Sequence, residues 1–470
     1  MAHHQDEQQQ QLLRVLHTSL VAPSPPLHAH HDDGELSLPL TYLDAMWLAF
    51  APVEVERVFF YRLAPDADIA AIVSNLTASL SRALHAFFPL AARLRLIPAT
   101  TNRYELYYNP AAEGGAGVSF TVAEYDGADI DDLATDEPRE HATIAPLVPH
   151  LPEGGAVLAL QATLLRARRG LALGVAVHHA ACDGSASTHF LHTWAAWAAG
   201  ADTPPQPPVV DRAIIRDRKD LHDMFTTPRP SSDAHDIFNA SADPRQVLAT
   251  FTLSPEQLQH VKDTVAGEAA RRGVPPPRCT SVVATFGFVW RCHYQAKASS
   301  SSSSGDRAYL GFPIDLRRRL DPPVPDKYLG NCVGPCIVSA PKTELAAAGA
   351  DGLFAACAAV AAAIDEAVRG GESGYWNWLM ERVTEAYSDG RPLSVAGSPR
   401  FRVYGVDFGF GPPAKVDIVS VANTGAISVA ESRAGSGGIE VGISLLPDAM
   451  DRFQSCFADA ITSLPALHAA

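Results

Sequence analysis

Basic charge, paired cysteines and long apolar runs are what this sequence has least of. Lys and Arg total 37 against 52 Asp and Glu, a formal net charge of −15 at pH 7. Nucleic acids and anionic membranes select for basic surface, so neither is an expected partner. An anionic small molecule stays open, because it needs only a local cationic patch. The seven cysteines (Cys182, Cys279, Cys292, Cys332, Cys336, Cys357 and Cys456) are odd in number and sparse. Cys332 and Cys336 form a C-x3-C with no second pair and no suitably spaced histidine, so no zinc site is expected. Reduced thiols in a cytosolic protein fit this set better than a disulfide framework. The N-terminal Met-Ala-His-His-Gln-Asp-Glu lacks the apolar core of a secretory signal, which points to a cytoplasmic location. Asn75-Leu-Thr and Asn239-Ala-Ser are then chance sequons. The longest apolar run, Leu353–Ile364, is shorter than the roughly 20 residues that span a bilayer. Two chemical signatures are also missing. There is no phosphate-binding Gly-x-Gly-x-x-Gly or Gly-Lys-Ser/Thr loop, and no Gly-x-Ser-x-Gly nucleophile elbow.

With 470 residues, of which 47% are hydrophobic and 19% charged, the chain reads as a soluble globular protein with at least two domains. Residues 1–35 read as loosely ordered. Leu38–Trp47 is a short connector and Val55–Tyr61 a strand. Ile69, Ile72, Leu76, Leu80, Ala83, Leu84 and Phe87 recur at helical spacing, which predicts a helix over 68–88. Strands are predicted near Tyr104–Tyr108, Val118–Val122, Val157–Leu164 and 171–177. A helix carrying Phe190, Leu191, Trp194 and Trp197 follows. Proline-punctuated residues 201–235 form the expected crossover between a first domain, 1–200, and a second, 236–470. In the second, Ser254-Pro-Glu-Gln257 is a capping box that starts a helix. A further helix is expected through Val282–Gln295, the serines 299–304 as a surface loop, a strand at Ala308–Pro313 and an Ala-rich helix at 344–368. The last quarter reads as strands at 402–408, 416–421, 426–432 and 439–445, then a helix from about 447. The fold class is therefore mixed α/β in both halves.

The chemistry concentrates in three local patterns. In Leu171–Gly184 an apolar, β-prone run stops at His178-His179, with Asp183-Gly184 four residues on. An imidazole at the open end of a buried strand is suited to general-base work, because its ordinary pKa lies nearest neutrality. The second pattern is Tyr328-Leu-Gly330-Asn331-Cys332, preceded by Asp315-Leu-Arg317. The third is Asp407-Phe-Gly409-Phe410-Gly411, preceded by Ser398-Pro-Arg400. A metal reading of His178, His179, Cys182 and Asp183 is not expected, since adjacent strand residues point to opposite faces. His3, His4, His28, His30 and His31 read as solvated.

In this order and at these separations the three patterns resemble the plant BAHD acyltransferases, which transfer acyl groups from coenzyme A thioesters. The likeness extends from Leu38-Pro-Leu-Thr41 with Asp44, through Phe88-Pro-Leu-Ala91, to Glu431 and Gly437–Gly442. The Tyr328–Cys332 element is similar to that of the clade acylating sugars of anthocyanins, flavonoids and other phenolic glucosides, often with malonyl-CoA. Leu329 stands where that clade usually has Phe, and Phe410 where the family usually has Trp.

The resemblance implies two chloramphenicol-acetyltransferase-like domains with a channel between them, the Tyr328 and Asp407 motifs lying in the second. It implies an acyl-CoA co-substrate, malonyl-CoA first, a phenolic glycoside acceptor, no permanently bound cofactor and no metal. The chain is expected to act as a monomer. His179 would be the general base in a ternary complex, and Asp183 an orienting residue paired with an arginine, for which Arg317 is the candidate. Thr41, Asp44, Arg317, Ser398 and Arg400 are candidates for lining the substrate or CoA channel, with Arg400 and Arg317 as possible contacts for a malonyl carboxylate. Tyr328, Gly330, Asn331, Cys332, Asp407, Gly409, Phe410 and Gly411 are expected to be structural. Phe410 cannot supply the indole N–H suggested as an oxyanion donor in the family. Three alternatives remain: an aromatic, hydroxycinnamoyl donor; a condensation-type reaction on a tethered substrate, which the His-His-x-x-x-Asp-Gly run also fits; and a non-catalytic ligand-binding relative. Cys182, beside the histidine, offers a Cys-His acyl-enzyme.

Overall fold

The computed structural model describes residues 12–27, 35–49, 54–111, 116–166, 169–203, 205–227, 243–298, 305–369, 371–389, 392–435 and 437–464. The serines 299–304, Asn239, most of Thr227–Ser231 and the five N-terminal histidines lie outside them. No described helix is long and apolar enough to cross a membrane. The chain packs as two compact units, each mixing helices with a sheet. The first takes in Met1–Pro244, Asp321–Val333 and Arg400–Thr424, and the second Arg245–Leu320, Gly334–Pro399 and Gly425–Ala470. This differs from the sequential division expected, because Tyr328–Cys332 and Asp407–Gly411 join the unit that holds His179.

The first unit is built on a mixed sheet whose neighbouring strands are, in order, Leu13–Val21, Val118–Tyr125, Leu158–Leu165, Gly170–His178, Glu54–Arg62 and Lys415–Ile418. Val118–Tyr125 and Leu158–Leu165 run parallel; the other pairs are antiparallel. Leu158–Leu165 is buried at every position and Gly170–His178 at every position before His178. Continuous apolar runs such as these suit central strands covered on both faces. The strand Lys415–Ile418 explains the migration of the Asp407 motif. Its ladder with Phe60–Arg57 draws residues 400–424 onto the first unit's sheet edge. Leu36–Pro39, Tyr104–Tyr108 and Arg93–Leu96 form a smaller antiparallel sheet. The second unit's sheet has the order Val333–Pro341, Arg307–Asp315, Leu393–Gly397, Ile427–Glu431, Ile439–Leu445 and Val247–Leu253.

Several local expectations are corrected. Leu13–Val21 is a nine-residue strand rather than loose chain. It lies at the sheet edge and is mostly exposed, so its side chains carry no buried-face alternation to read. The strand expected at 402–408 lies earlier, at Leu393–Gly397. Arg402 sits at φ 52°, a left-handed conformation no strand accommodates, and only the short turn Val403–Gly405 follows. The Ala-rich helix is Gly349–Arg369, set off from Lys342–Leu345 by Gly349 at φ 59°. A further helix, Gly371–Asp389, was not foreseen. The crossover contains the helix Lys219–Thr226. Asn75 lies on the helix Ile69–Ala86 with its amide donating to Ala198 O at 2.8 Å, a structural use of that sequon.

Candidate active site

His179 follows the last residue of the strand Gly170–His178, where the ladder ends and the chain turns toward the helix Gly184–Ala198. Its half-buried ring is held at Nδ1, 3.1 Å from Asn331 Oδ1. The amide orientation of Asn331 follows from its other partners. Its Nδ2 donates to Asp44 Oδ1 at 3.0 Å and to His179 O at 2.8 Å, and both of these can only accept. Asn331 therefore presents a carbonyl oxygen to the ring, so Nδ1 carries the hydrogen and Nε2 keeps the lone pair. That is the tautomer a general base needs.

Asp44 anchors this arrangement. Its carboxylate, 0% exposed, accepts from Asn331 N at 2.9 Å, from Thr41 N and Oγ1 at 3.0 and 2.7 Å, and from Arg212 Nη1 at 3.1 and 3.2 Å. Arg212 also donates to Tyr328 Oη at 3.2 Å and Ala181 O at 3.2 Å. Burial is the largest influence on the Arg212 charge and works against it, but Asp44, Tyr328 and Cys182 together outweigh it and hold the guanidinium above its ordinary range. Thr41 and Asp44 form a capping box that starts the helix Tyr42–Ala45, and Asp44 supports the histidine's partner. Gly330 is required by the approach of Arg212: a Cβ there would lie 1.7 Å from Nη1.

Asp183, 1% exposed, does two structural jobs. Oδ1 caps the helix Gly184–Ala198 by accepting from Ala186 N at 3.0 Å, and Oδ2 accepts from Cys332 N at 3.0 Å. The acid thus ties the strand-end loop to the Tyr328–Cys332 segment. Gly184 has no room for a side chain, since a Cβ would meet Phe401 at 2.7 Å and Arg57 Nη2 at 3.3 Å. Arg317 is buried in the second unit, where its N–H and Nη1 reach Asp315 Oδ1 at 3.0 and 3.4 Å. Ser398 lies in the second unit, and Arg400 is exposed in the first.

The Asp407 motif makes a tight turn. Asp407 Oδ1 accepts from Gly409 N at 2.8 Å and Gly411 N at 2.9 Å, and both glycines take positive φ (98° and 101°). Phe408 and Phe410 meet Tyr61 edge-on at 6.0 and 5.0 Å, Phe408 also packs edge-on against Trp194 at 4.7 Å, and Tyr61 Oη donates to Val406 O at 2.9 Å. Phe410 thus serves the packing of this turn.

Burial pushes the His179 imidazole down to about 4, whereas the hydrogen bond to Asn331 works the other way and favours the ring's charged form. At neutral pH the ring is uncharged and ready to accept. Burial lowers His178 as well, and its Nδ1 accepts from Ala180 N at 3.2 Å. The Cys182 thiol is pushed up to about 12 by burial and by Asp183. A thiol so rarely ionised is a poor nucleophile, which weighs against a Cys-His acyl-enzyme. Two residues of the site were missed in the sequence. Arg212 lies in the proline-rich crossover, where nothing local distinguishes it. Trp47 stacks on His179 with ring centroids 3.4 Å apart and 16° between planes.

The sequence matches the Transferase family over residues 13–460. It is 33% identical over 475 residues to phenolic glucoside malonyltransferase 1 of Arabidopsis thaliana, covering 95% of this chain and 97% of that protein. It is 30% identical over 454 residues to coumaroyl-CoA:anthocyanidin 3-O-glucoside-6''-O-coumaroyltransferase 2 of the same plant, covering 90% and 93%. The fold is similar to that of vinorine synthase, with a TM-score of 0.66 at 18% identity over 94% of this chain and 96% of that one. A likeness at that identity speaks for the fold alone. A match of this extent, around a strand-end histidine held in its basic tautomer, makes the chain a member of the Transferase family, the BAHD acyl-CoA-dependent acyltransferases.

Proposed function

We propose that the protein moves a malonyl group from malonyl-CoA to a sugar hydroxyl of a phenolic or anthocyanin glucoside, with His179 as general base. The observation that carries this reading is the contact between His179 Nδ1 and Asn331 Oδ1, which leaves Nε2 as the proton acceptor. A sugar hydroxyl is a poor nucleophile at neutral pH. His179 Nε2 takes its proton as the oxygen attacks the thioester carbonyl, and the tetrahedral intermediate expels the CoA thiolate, which receives that proton. The C–S bond breaks as the new C–O ester bond forms, with no enzyme-bound acyl group. Asp183 holds the loop that carries the base and takes no proton.

The malonyl donor and the glucoside acceptor are supported by the names of relatives, chiefly the phenolic glucoside malonyltransferase at 33% identity. A coumaroyltransferase at 30% identity favours the second reading, an aromatic acyl donor on a similar acceptor. The test is turnover of malonyl-CoA against coumaroyl-CoA on one phenolic glucoside, by wild type and by His179→Ala. Malonyl transfer is expected to dominate, and the variant to lose about 10²- to 10⁴-fold in kcat. Preference for coumaroyl-CoA selects the second reading. Transfer by His179→Ala at the wild-type rate removes His179 as the base.

A further inference from the structure

The segment that delivers Asp44 to Asn331 also delivers Trp47 to the face of the His179 ring. We propose that Trp47 is a positioning residue: it fixes the plane of the His179 imidazole and shields that face from water, so that the neutral ring meets the substrate. This rests on the reading of His179 as the base. One hydrogen bond at Nδ1 tolerates a swing of the imidazole about its Cβ–Cγ bond. A ring stacked at 3.4 Å and 16° stands in the way of that swing. Trp47 is itself well placed to do so. It lies in the turn Met46–Leu48, directly after the helix whose capping box and Asp44 are fixed by Thr41, Asn331 and Arg212. The short piece of chain that covers the ring's face thus also anchors Asn331, which holds its Nδ1 edge.

The electrostatics agree with this geometry. An aromatic face attracts an imidazolium and by itself would raise the ring's pKa. The ring is lowered, with burial the largest cause, which is the direction in which a ring covering its face acts by keeping water away. The other groups facing the ring are His178 on its own strand and Arg57 on the neighbouring strand, both lowering, and Asn331, raising. Asp44 lies behind Asn331 and is shared with Arg212. Substituting Trp47 leaves all of these in place.

The test compares Trp47→Ala and Trp47→Phe with wild type by kcat/KM from pH 5 to 9, and by ¹⁵N NMR titration of His179 in the substrate-free enzyme. Wild type and Trp47→Phe should keep kcat/KM flat down to about pH 5. Trp47→Ala should gain an acid limb near the ordinary histidine value of roughly 6.5, losing about tenfold between pH 8 and 5.5. The ¹⁵N titration should move upward in the same variant. It reads the ring without turnover, so it stays decisive if His179→Ala shows that the base lies elsewhere. An unshifted titration with a flat profile in Trp47→Ala, an equal acid limb in Trp47→Phe, or a change confined to KM would overturn the proposal.

Discussion

Asn331 decides which nitrogen of His179 can take a proton. Its amide donates to two groups that can only accept, so its carbonyl must face the ring. Removing that carbonyl frees the other tautomer, in which Nε2 carries the hydrogen and cannot act as base. Asn331→Ala is therefore expected to lower kcat by about 10- to 100-fold, the usual cost of losing an orienting partner, with KM nearly unchanged. Steady-state kinetics with saturating acyl-CoA reads this directly, and an equal rise in KM alone would mean that Asn331 serves substrate binding. Asp44 is different in kind. It is buried opposite Arg212, and Asp44→Ala strands that guanidinium, at a cost of about 3–5 kcal/mol. Lost activity in that variant reports folding before it reports chemistry.

At the scale of elements, the strand-end loop is held by one acid acting in two directions. Asp183 caps the helix Gly184–Ala198 and fixes Cys332. Asp183→Ala loses a cap, about 1 kcal/mol, and leaves a buried backbone N–H unpaired, about 1–3 kcal/mol. The expected outcome is a lower urea midpoint together with activity at 15 °C well above that of His179→Ala. An Asp183→Ala enzyme as inactive as His179→Ala but of unchanged midpoint would make the acid part of the chemistry. The sequence showed this element well. An apolar run ending in His178-His179 is a buried strand with an open end, and the acid four residues on was expected to orient the loop. It did not show the partners, because Asn331 is 152 residues from His179 in the chain and Arg212 is 116 from Tyr328. The edge strand Leu13–Val21 was equally hidden, since an exposed strand buries no alternating face.

Across the whole molecule, buried histidines set the response to acid. Burial lowers His179, His189 and His293 to about 4, against 6.5 ordinarily. Between pH 6.5 and 4 the unfolded chain binds more protons at these sites than the folded one. The stability they contribute is complete above about pH 6.5 and is lost as the pH falls toward 4, about 2 kcal/mol for each ring at pH 5. Glu56 acts in the opposite sense. Burial and Glu54 raise it to about 7, so it stabilises the fold in acid and loses that contribution as the pH rises through 7. The histidines outweigh it. The melting temperature is expected to be several degrees lower at pH 5 than at pH 7.5; a value unchanged or higher at pH 5 would show that these rings are hydrated and titrate normally.

The sequence by itself determined the elements whose signal is local: the central strands, the capped helices, the strand-end histidine and the turn chemistry of Asp407–Gly411. It also carried the family, because three short motifs keep their order and spacing. Only the tertiary structure decided what those motifs do to one another. The ladder between Lys415–Ile418 and Glu54–Arg62 brings the Asp407 turn into the histidine's own unit. Burial makes Asp44 the anchor of Asn331, and contact makes Trp47 the floor of the imidazole. Hydrogen bonds and stacking act over a few ångströms of space whatever the separation along the chain, and that is why no local pattern could announce them.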